Sequence, residues 1–216
     1  MNAFLLFKGL SIGLIFSATT VAATVWCIQL GLQRGLGAAW TAAGAVVVGQ
    51  VLWAILAVVT VGSLSWDAPQ YMTGARAFCG VVFLYMAIKS ARSARLAKLP
   101  PLVGAKVGPV RLAIATLAVM LSLPMRFFGL TGLMLAAWLT RRPMYPLDAA
   151  ALLAGVGAGT LAWFGFVGAV AAHLRERVAP EFWTRLVWRQ ARLAGLVYAG
   201  LALIVTLPTL VWWARR

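Results

Sequence analysis

The chain has 216 residues, of which 63% are hydrophobic and only 11% are charged. Soluble domains are about 25% charged, so this composition excludes a soluble protein and predicts an integral membrane protein. The net charge of +15 lies mainly between apolar stretches, which favours contact with anionic lipid headgroups over binding of nucleic acid.

Six segments have the roughly 20 mostly apolar residues that a helix needs to cross a bilayer. In chain order they are Phe4–Gln29, Ala38–Leu64, Tyr71–Ser90, Leu112–Leu139, Leu147–His173 and Leu193–Trp213. The uncharged run Gly9–Gln33 is too long for the apolar core of a signal peptide, so we interpret the first segment as a retained helix. We therefore predict an all-α integral membrane protein with six transmembrane helices.

The longest connection, residues 91–110, divides this single transmembrane domain (residues 1–216) into two halves. Residues 1–90 hold the first three predicted helices, and residues 111–216 hold the other three. Because each half crosses the membrane an odd number of times, the two halves run in opposite directions. The chain is thus predicted to be an inverted repeat of two three-helix halves.

Lysine and arginine are distributed unequally between the two sides of the predicted bundle. The first, third and fifth loops and their flanks carry Arg34, Lys89, Arg92, Arg95, Lys98, Lys106, Arg111, Arg175, Arg177, Arg185, Arg189 and Arg192, whereas the other side carries Lys8, Arg76, Arg141, Arg142, Arg215 and Arg216. The positive-inside rule then places the basic linker in the cytoplasm and both termini in the periplasm.

Arg126 lies in the middle of the fourth predicted helix, two residues after Pro124. A charge at this depth costs several kcal/mol, about 2.5–3.5 kcal/mol on insertion scales, so it usually has a function. Pro124 is expected to break the helix and to displace the carbonyl of Met120. The guanidinium has two alternatives: it bonds the freed carbonyls, or it binds the carboxylate of a ligand.

Three further polar residues lie midway along predicted helices. Thr19 and Thr20 interrupt the first helix, where their hydroxyls either bend the helix or face a polar cavity. Gln50 lies in the second helix, where its amide either bonds across helices or lines a cavity. Together with Arg126, these residues form the predicted substrate site between the broken first and fourth helices.

Small residues recur at a spacing of four on three predicted helices, as Gly9/Gly13, Gly155/Gly159 and Ala191/Gly195/Ala199. Such stripes allow the backbones of two helices to approach closely in lipid. We interpret them as packing surfaces, and a homodimer through such a face is also compatible with the sequence.

Residues for catalysis or for holding a metal ion are scarce. The two cysteines, Cys27 and Cys79, lie far apart inside apolar segments, and His173 is the single histidine. No nucleophile motif, phosphate-binding loop or zinc-protease motif occurs. We therefore expect neither an enzyme, nor a cofactor, nor a metal site.

Four stretches of the chain carry a resemblance to a known family. They are the link Gln29–Ala39, the glycines Gly44 and Gly49, the segment Gly80–Lys89 and the segment Arg192–Leu201. In this order, and with a basic linker between them, they resemble the LysE/RhtB family of amino-acid exporters. The resemblance implies a multi-pass transporter of the bacterial inner membrane that exports amino acids or similar small molecules.

The chain departs from the family pattern at its functional positions. The family's P-G-P motif of the first helix aligns near Ala18–Val21, which contains no proline, and its acidic residue on the second helix aligns with Gln50. Its N-P-K motif aligns with residues 123–125, where only Pro124 is retained and Arg126 stands one position later. A divergent exporter is therefore the first interpretation, and a membrane scaffold that has lost transport is the alternative.

Overall fold

The structure is a computed structural model that describes residues 3–63, 69–95, 108–137, 145–178 and 180–214. The regular secondary structure in these ranges is entirely helical. The helices are α1 (Ala3–Thr19), α2 (Val21–Arg34), α3 (Leu36–Ser63), α4 (Pro69–Arg95), α5 (Pro109–Leu121), α6 (Met125–Ala136), α7 (Pro146–Leu174) and α8 (Pro180–Ala214). The predicted all-α membrane fold is thus confirmed at this level.

Two of the predicted crossings are bent pairs of helices. Helices α1 and α2 meet at Thr20 at an angle of 77°, and α5 and α6 meet at residues 122–124 at an angle of 66°. Helices α3, α4, α7 and α8 are each long and apolar enough to span a bilayer alone. The described chain therefore has four candidate membrane spans, or six if each bent pair is one span.

The predicted start of the last helix, at Leu193, is wrong, because α8 already begins at Pro180. Trp183, Val187 and Ala191 are buried at a spacing of one helical turn, and they continue the buried face that includes Tyr198. The arginines between them are exposed, so the first turns of α8 are amphipathic. A search for uncharged runs misses a helical segment of this kind.

The basic linker predicted for residues 91–110 is partly helical. Helix α4 continues to Arg95, and α5 begins at Pro109, which has the fixed φ that suits the first position of a helix. Residues 96–107, with Lys98 and Lys106, lie outside the described part of the chain.

Helix packing is organised around two pairs, α1 with α7 and α4 with α8, which have the most extensive contacts. Helix α3 packs on α7 and also on both α5 and α6. The largest buried cluster includes Phe16, Phe83, Leu130 and Val156, and it connects the end of α1 with α4, α6 and α7. This cluster therefore lies beside both bends.

Two of the glycine pairs predicted as packing surfaces, Gly9/Gly13 and Gly155/Gly159, pack against each other between α1 and α7. A Cβ atom at Gly9 or Gly13 would overlap the carbonyl oxygens of Leu152 and Val156, and one at Gly155 or Gly159 would overlap carbonyls of α1. The two backbones are in direct contact, as is typical of small-residue interfaces in membranes.

Because the two backbones touch, adding one methyl group at the α1–α7 contact should lower the stability of the protein. Gly9→Ala forces α1 away from Leu152, and we expect a loss of about 1–3 kcal/mol of stability, as for other overpacked sites. Gly44→Ala is the matched control, because no atom lies within 4 Å of a Cβ at Gly44. Thermal unfolding of both variants in lipid nanodiscs should show a lower Tm for Gly9→Ala alone. Equal values of Tm would contradict the close packing.

Candidate functional site

The first bend is stabilised by side-chain donors that bond the last carbonyls of α1. Thr20 has non-helical backbone angles (φ −86°, ψ 81°), and its hydroxyl donates to Phe16 O at 2.7 Å. The hydroxyl of Thr19 donates to the same oxygen at 2.9 Å. From α8, Gln190 Nε2 donates to Ala18 O at 2.8 Å. The carbonyls of Phe16 and Ala18 are thus bonded by donors of the protein itself.

The second bend has the same kind of stabilisation. Pro124 has no amide hydrogen, so a helix through it leaves the carbonyl of Met120 without its usual donor. The indole Nε1 of Trp53 on α3 donates to Met120 O at 3.1 Å. The freed carbonyl is therefore bonded by Trp53, and Arg126 is not required there.

Arg126 lies in the first turn of α6, immediately after this bend, and is 4% exposed. Its Nη1 donates to Oε1 of Gln50 at 3.0 Å, and Gln50 is 1% exposed. Within the described part of the chain, Nε and Nη2 of Arg126 and Nε2 of Gln50 have no hydrogen-bond acceptor. The pair thus leaves three buried N–H donor groups without a partner.

The three acidic residues in the described part of the chain lie at the ends of helices. Asp148 and Glu181 lie in the first turns of α7 and α8, and Glu176 follows the end of α7. Asp67 lies outside the described residues. A buried guanidinium usually has a carboxylate as its counter-ion, because the desolvation of an unpaired charge costs several kcal/mol. Among the described residues, the side-chain partner of Arg126 is the neutral amide of Gln50.

A cavity of about 170 Å³ lies between the two bends. Its lining comes from α1, α2, α4, α6, α8 and the α5–α6 connection, and comprises Phe16, Thr19, Thr20, Val21, Ala22, Tyr85, Met86, Lys89, Ser90, Leu123, Met125, Arg126 and Tyr198. Two of these side chains are cationic, several carry hydroxyl groups, and none is acidic. The cavity is smaller than the roughly 300–1,000 Å³ of drug-sized pockets, so it suits a small molecule.

The structure brings the predicted site residues together in one region. Thr19, Thr20 and Arg126 line the cavity, and Gln50 lies behind Arg126 as its hydrogen-bond partner. Pro124 is the residue that precedes α6, at the second bend.

Sequence analysis missed four residues of this region: Trp53, Lys89, Gln190 and Tyr198. Trp53 is one turn after Gln50 on α3, which is a spacing that could have identified it. Tyr198 is buried, stacks on the ring of Phe83 with centroids 6.1 Å apart, and interacts with both threonines. Gln190 was not recognised because its segment was predicted as a loop.

We also searched the described residues for a metal site and for paired cysteines. No group of three histidine, cysteine, aspartate or glutamate residues that could hold a metal ion occurs among them. Cys27 and Cys79 are both buried and free, on α2 and α4.

The bond between Trp53 and Met120 makes a testable prediction. Trp53→Phe removes the donor from the carbonyl at the second bend, and we expect a loss of about 1–3 kcal/mol of stability for the unpaired group. The control is Trp188→Phe, because Trp188 is 37% exposed and its ring lies under the guanidinium of Arg192, a contact that a phenylalanine ring can keep. A calorimetric Tm that falls equally in both variants would contradict the role of Trp53 at the bend.

Comparison with known proteins identifies the family. The family model of the LysE type translocator matches residues 14–207, which is most of the chain and includes both bends. The chain therefore belongs to the LysE type translocators, which are membrane transporters that export solutes. No curated protein and no solved structure matches the chain.

Proposed function

We propose that this translocator exports amino acids or amino-acid-like small molecules across the bacterial cytoplasmic membrane, with Arg126 binding the substrate's carboxylate. The proposal depends on one observation. A buried guanidinium with two unpartnered N–H groups, and without an acidic partner among the described residues, lines a cavity between two broken helices. Broken helices at mid-depth are a common way to build a substrate site in secondary transporters.

Arginine suits a carboxylate better than lysine does in this position. The planar guanidinium presents parallel N–H groups that match the two oxygens of a carboxylate. Thr19, Thr20 and Tyr198 add hydroxyl groups, while Phe16 and Met86 supply apolar surface for the rest of the substrate. The lining thus fits a small amphipathic molecule with an acidic group.

The residues that line the cavity support loading from the cytoplasm. Its lining runs from Thr20 and Arg126 at the bends to Lys89 and Ser90, near the C-terminal end of α4. This end of α4 lies on the side where the positive-inside rule places the cytoplasm. A site that reaches the cytoplasmic side is the loading conformation of an exporter.

The inverted repeat is part of the proposal, and the helix contacts support it. If the two halves are equivalent, α1–α2 corresponds to α5–α6, α3 to α7, and α4 to α8. Packing of α1 and α2 on α7 then has its counterpart in packing of α5 and α6 on α3, and both occur. Exchanging the two halves swaps α3 with α7 and α4 with α8. The α3–α7 contact and the α4–α8 contact therefore each map onto themselves, and both occur. Both members of the first pair are also broken.

We further propose that both termini face the periplasm and that the basic side contacts anionic lipids. The connection between α2 and α3 lies near the end of α7, because a Cβ at Gly35 would lie 3.6 Å from Arg175 Nη1. Arg34, Arg92 and Arg189 belong to the same predicted side, and the last two are exposed. Positive charge at this side supports a cytoplasmic orientation.

Replacement of Arg126 by methionine separates a transport role from a structural one. The change removes the carboxylate-binding group but keeps a long, flexible side chain, and it also removes unpartnered buried donors. We therefore expect efflux to fall at least tenfold while Tm stays constant or rises. Efflux is measured by mass spectrometry on proteoliposomes that are loaded with the twenty standard amino acids.

The matched control is Arg92→Met, which removes an exposed cation from α4 outside the cavity. It should retain the efflux of the unmodified chain. Efflux in Arg126→Met at the level of this control would refute the role of Arg126. Absence of efflux from the unmodified chain for every solute would favour the scaffold function instead.

A further inference from the structure

At the two bends, buried hydrogen-bond donors lack acceptors, whereas the carbonyl acceptors described above are already bonded. This imbalance limits the charge of the substrate. We infer that the site selects molecules with a net negative charge, and that Gln50 is the positioning residue which holds Arg126 for them. This inference rests on the transport function proposed above and specifies the substrate class of the same site.

Arg126 keeps one complete edge of its guanidinium for a ligand. The Nε–H and one Nη2–H of an arginine point in the same direction and form its side-on edge, which binds two oxygens at once. Gln50 accepts a hydrogen bond from Nη1, the guanidinium nitrogen that is not part of the side-on edge. The side-on edge is therefore left complete, and both of its nitrogens are buried without an acceptor among the described residues.

The carbonyl groups that a cation would need are already bonded at the first bend. A broken helix ordinarily exposes carbonyl oxygens at its bend, and these bind an ammonium or a metal ion in many transporters. Here Thr19 and Thr20 donate to Phe16 O, Gln190 donates to Ala18 O, and Thr20 N donates to Ser17 O at 3.1 Å. Three consecutive carbonyls at the end of α1 are thus already bonded.

At the second bend, the carbonyl that Pro124 frees, that of Met120, is likewise bonded by a side chain, Trp53. The acceptors that remain in the cavity lining include neutral hydroxyl groups, which do not balance the charge of an ammonium. Lys89 adds a second positive charge, 6.0 Å from the ring centroid of Tyr85. A site whose described lining holds a buried guanidinium with surplus donors, an exposed lysine and no acidic side chain stabilises an anion and disfavours a cation.

Gln50 explains how the protein keeps this anion site. A carboxylate at this position would neutralise Arg126 and occupy part of its fork. The amide instead fixes the guanidinium with a neutral oxygen and leaves its charge for the ligand. Gln50 Nε2 is a further buried donor without an acceptor among the described residues, but Gln50 is not part of the cavity lining, so it acts on the ligand by holding the guanidinium.

The test uses four probes with a six-carbon skeleton: hexanoate, norleucine, hexanamide and hexylamine. The full chain is placed in nanodiscs of neutral phosphatidylcholine at pH 7.5, and dissociation constants are derived from the ligand-induced rise in Tm. We expect hexanoate to bind at least tenfold more tightly than norleucine, and no rise with hexanamide or hexylamine. Norleucine binding as tightly as hexanoate, or binding of hexylamine, would overturn the inference.

Gln50→Glu is the decisive variant, because it supplies the missing counter-ion within the protein. Its Tm without ligand should rise, which shows that it folds, and its affinity for hexanoate should fall at least tenfold. Arg126→Lys should also lose hexanoate binding, because it keeps the charge and loses the side-on edge. Arg189→Gln, an exposed position outside the cavity, should bind hexanoate unchanged. Hexanoate binding at unmodified affinity in Gln50→Glu would refute the assignment.

The outcomes also distinguish this inference from the proposed transport function. If hexanoate binds and Gln50→Glu abolishes binding, but no solute leaves proteoliposomes, the transport proposal fails and the anion site stands. If zwitterionic amino acids are exported in an Arg126-dependent way and hexanoate does not bind, transport stands and the anion selectivity is wrong.

Discussion

The contact between Arg126 and Gln50 is the interaction around which the site is built. A cation buried among membrane helices normally has an acidic partner, yet here its one described partner is a neutral amide at 3.0 Å. Each buried donor left without an acceptor costs about 1–3 kcal/mol. The protein therefore keeps a destabilised group in its interior, and a ligand that supplies the missing oxygens would recover this free energy on binding.

The two helix bends make this arrangement possible. They separate α1 from α2 and α5 from α6, and they bring the start of α6 against α3 and the cavity. Each bend is stabilised by a side chain from another helix, Gln190 on one side and Trp53 on the other. The tight glycine packing fixes α1, the helix that precedes the first bend, against α7. The bends are thus specific features of the packing and not simply weak points in two helices.

Much of the fold could be predicted from the sequence, because apolar length and the positions of proline and charge are local properties. Pro124 and Arg126 indicated the region of interest for that reason, and the glycine pairs indicated packing faces but not which two helices they bring together. The partners that bond the freed carbonyls could not be predicted, since Trp53 and Gln190 reach the bends only through tertiary packing. The early start of α8 was missed because its first turns are amphipathic, so that they carry exposed arginines and contain no uncharged run.

The central claim is that Arg126 binds the acidic group of the substrate in the cavity between the bends. A structure of the full chain with bound 6-bromohexanoate tests it most directly, because anomalous scattering locates the bromine atom. We predict a bromine peak in the apolar part of the cavity near Phe16 and Met86, with the carboxylate on Nε and Nη2 of Arg126. A bromine peak outside the cavity, or a carboxylate that contacts Lys89 and not Arg126, would contradict the account.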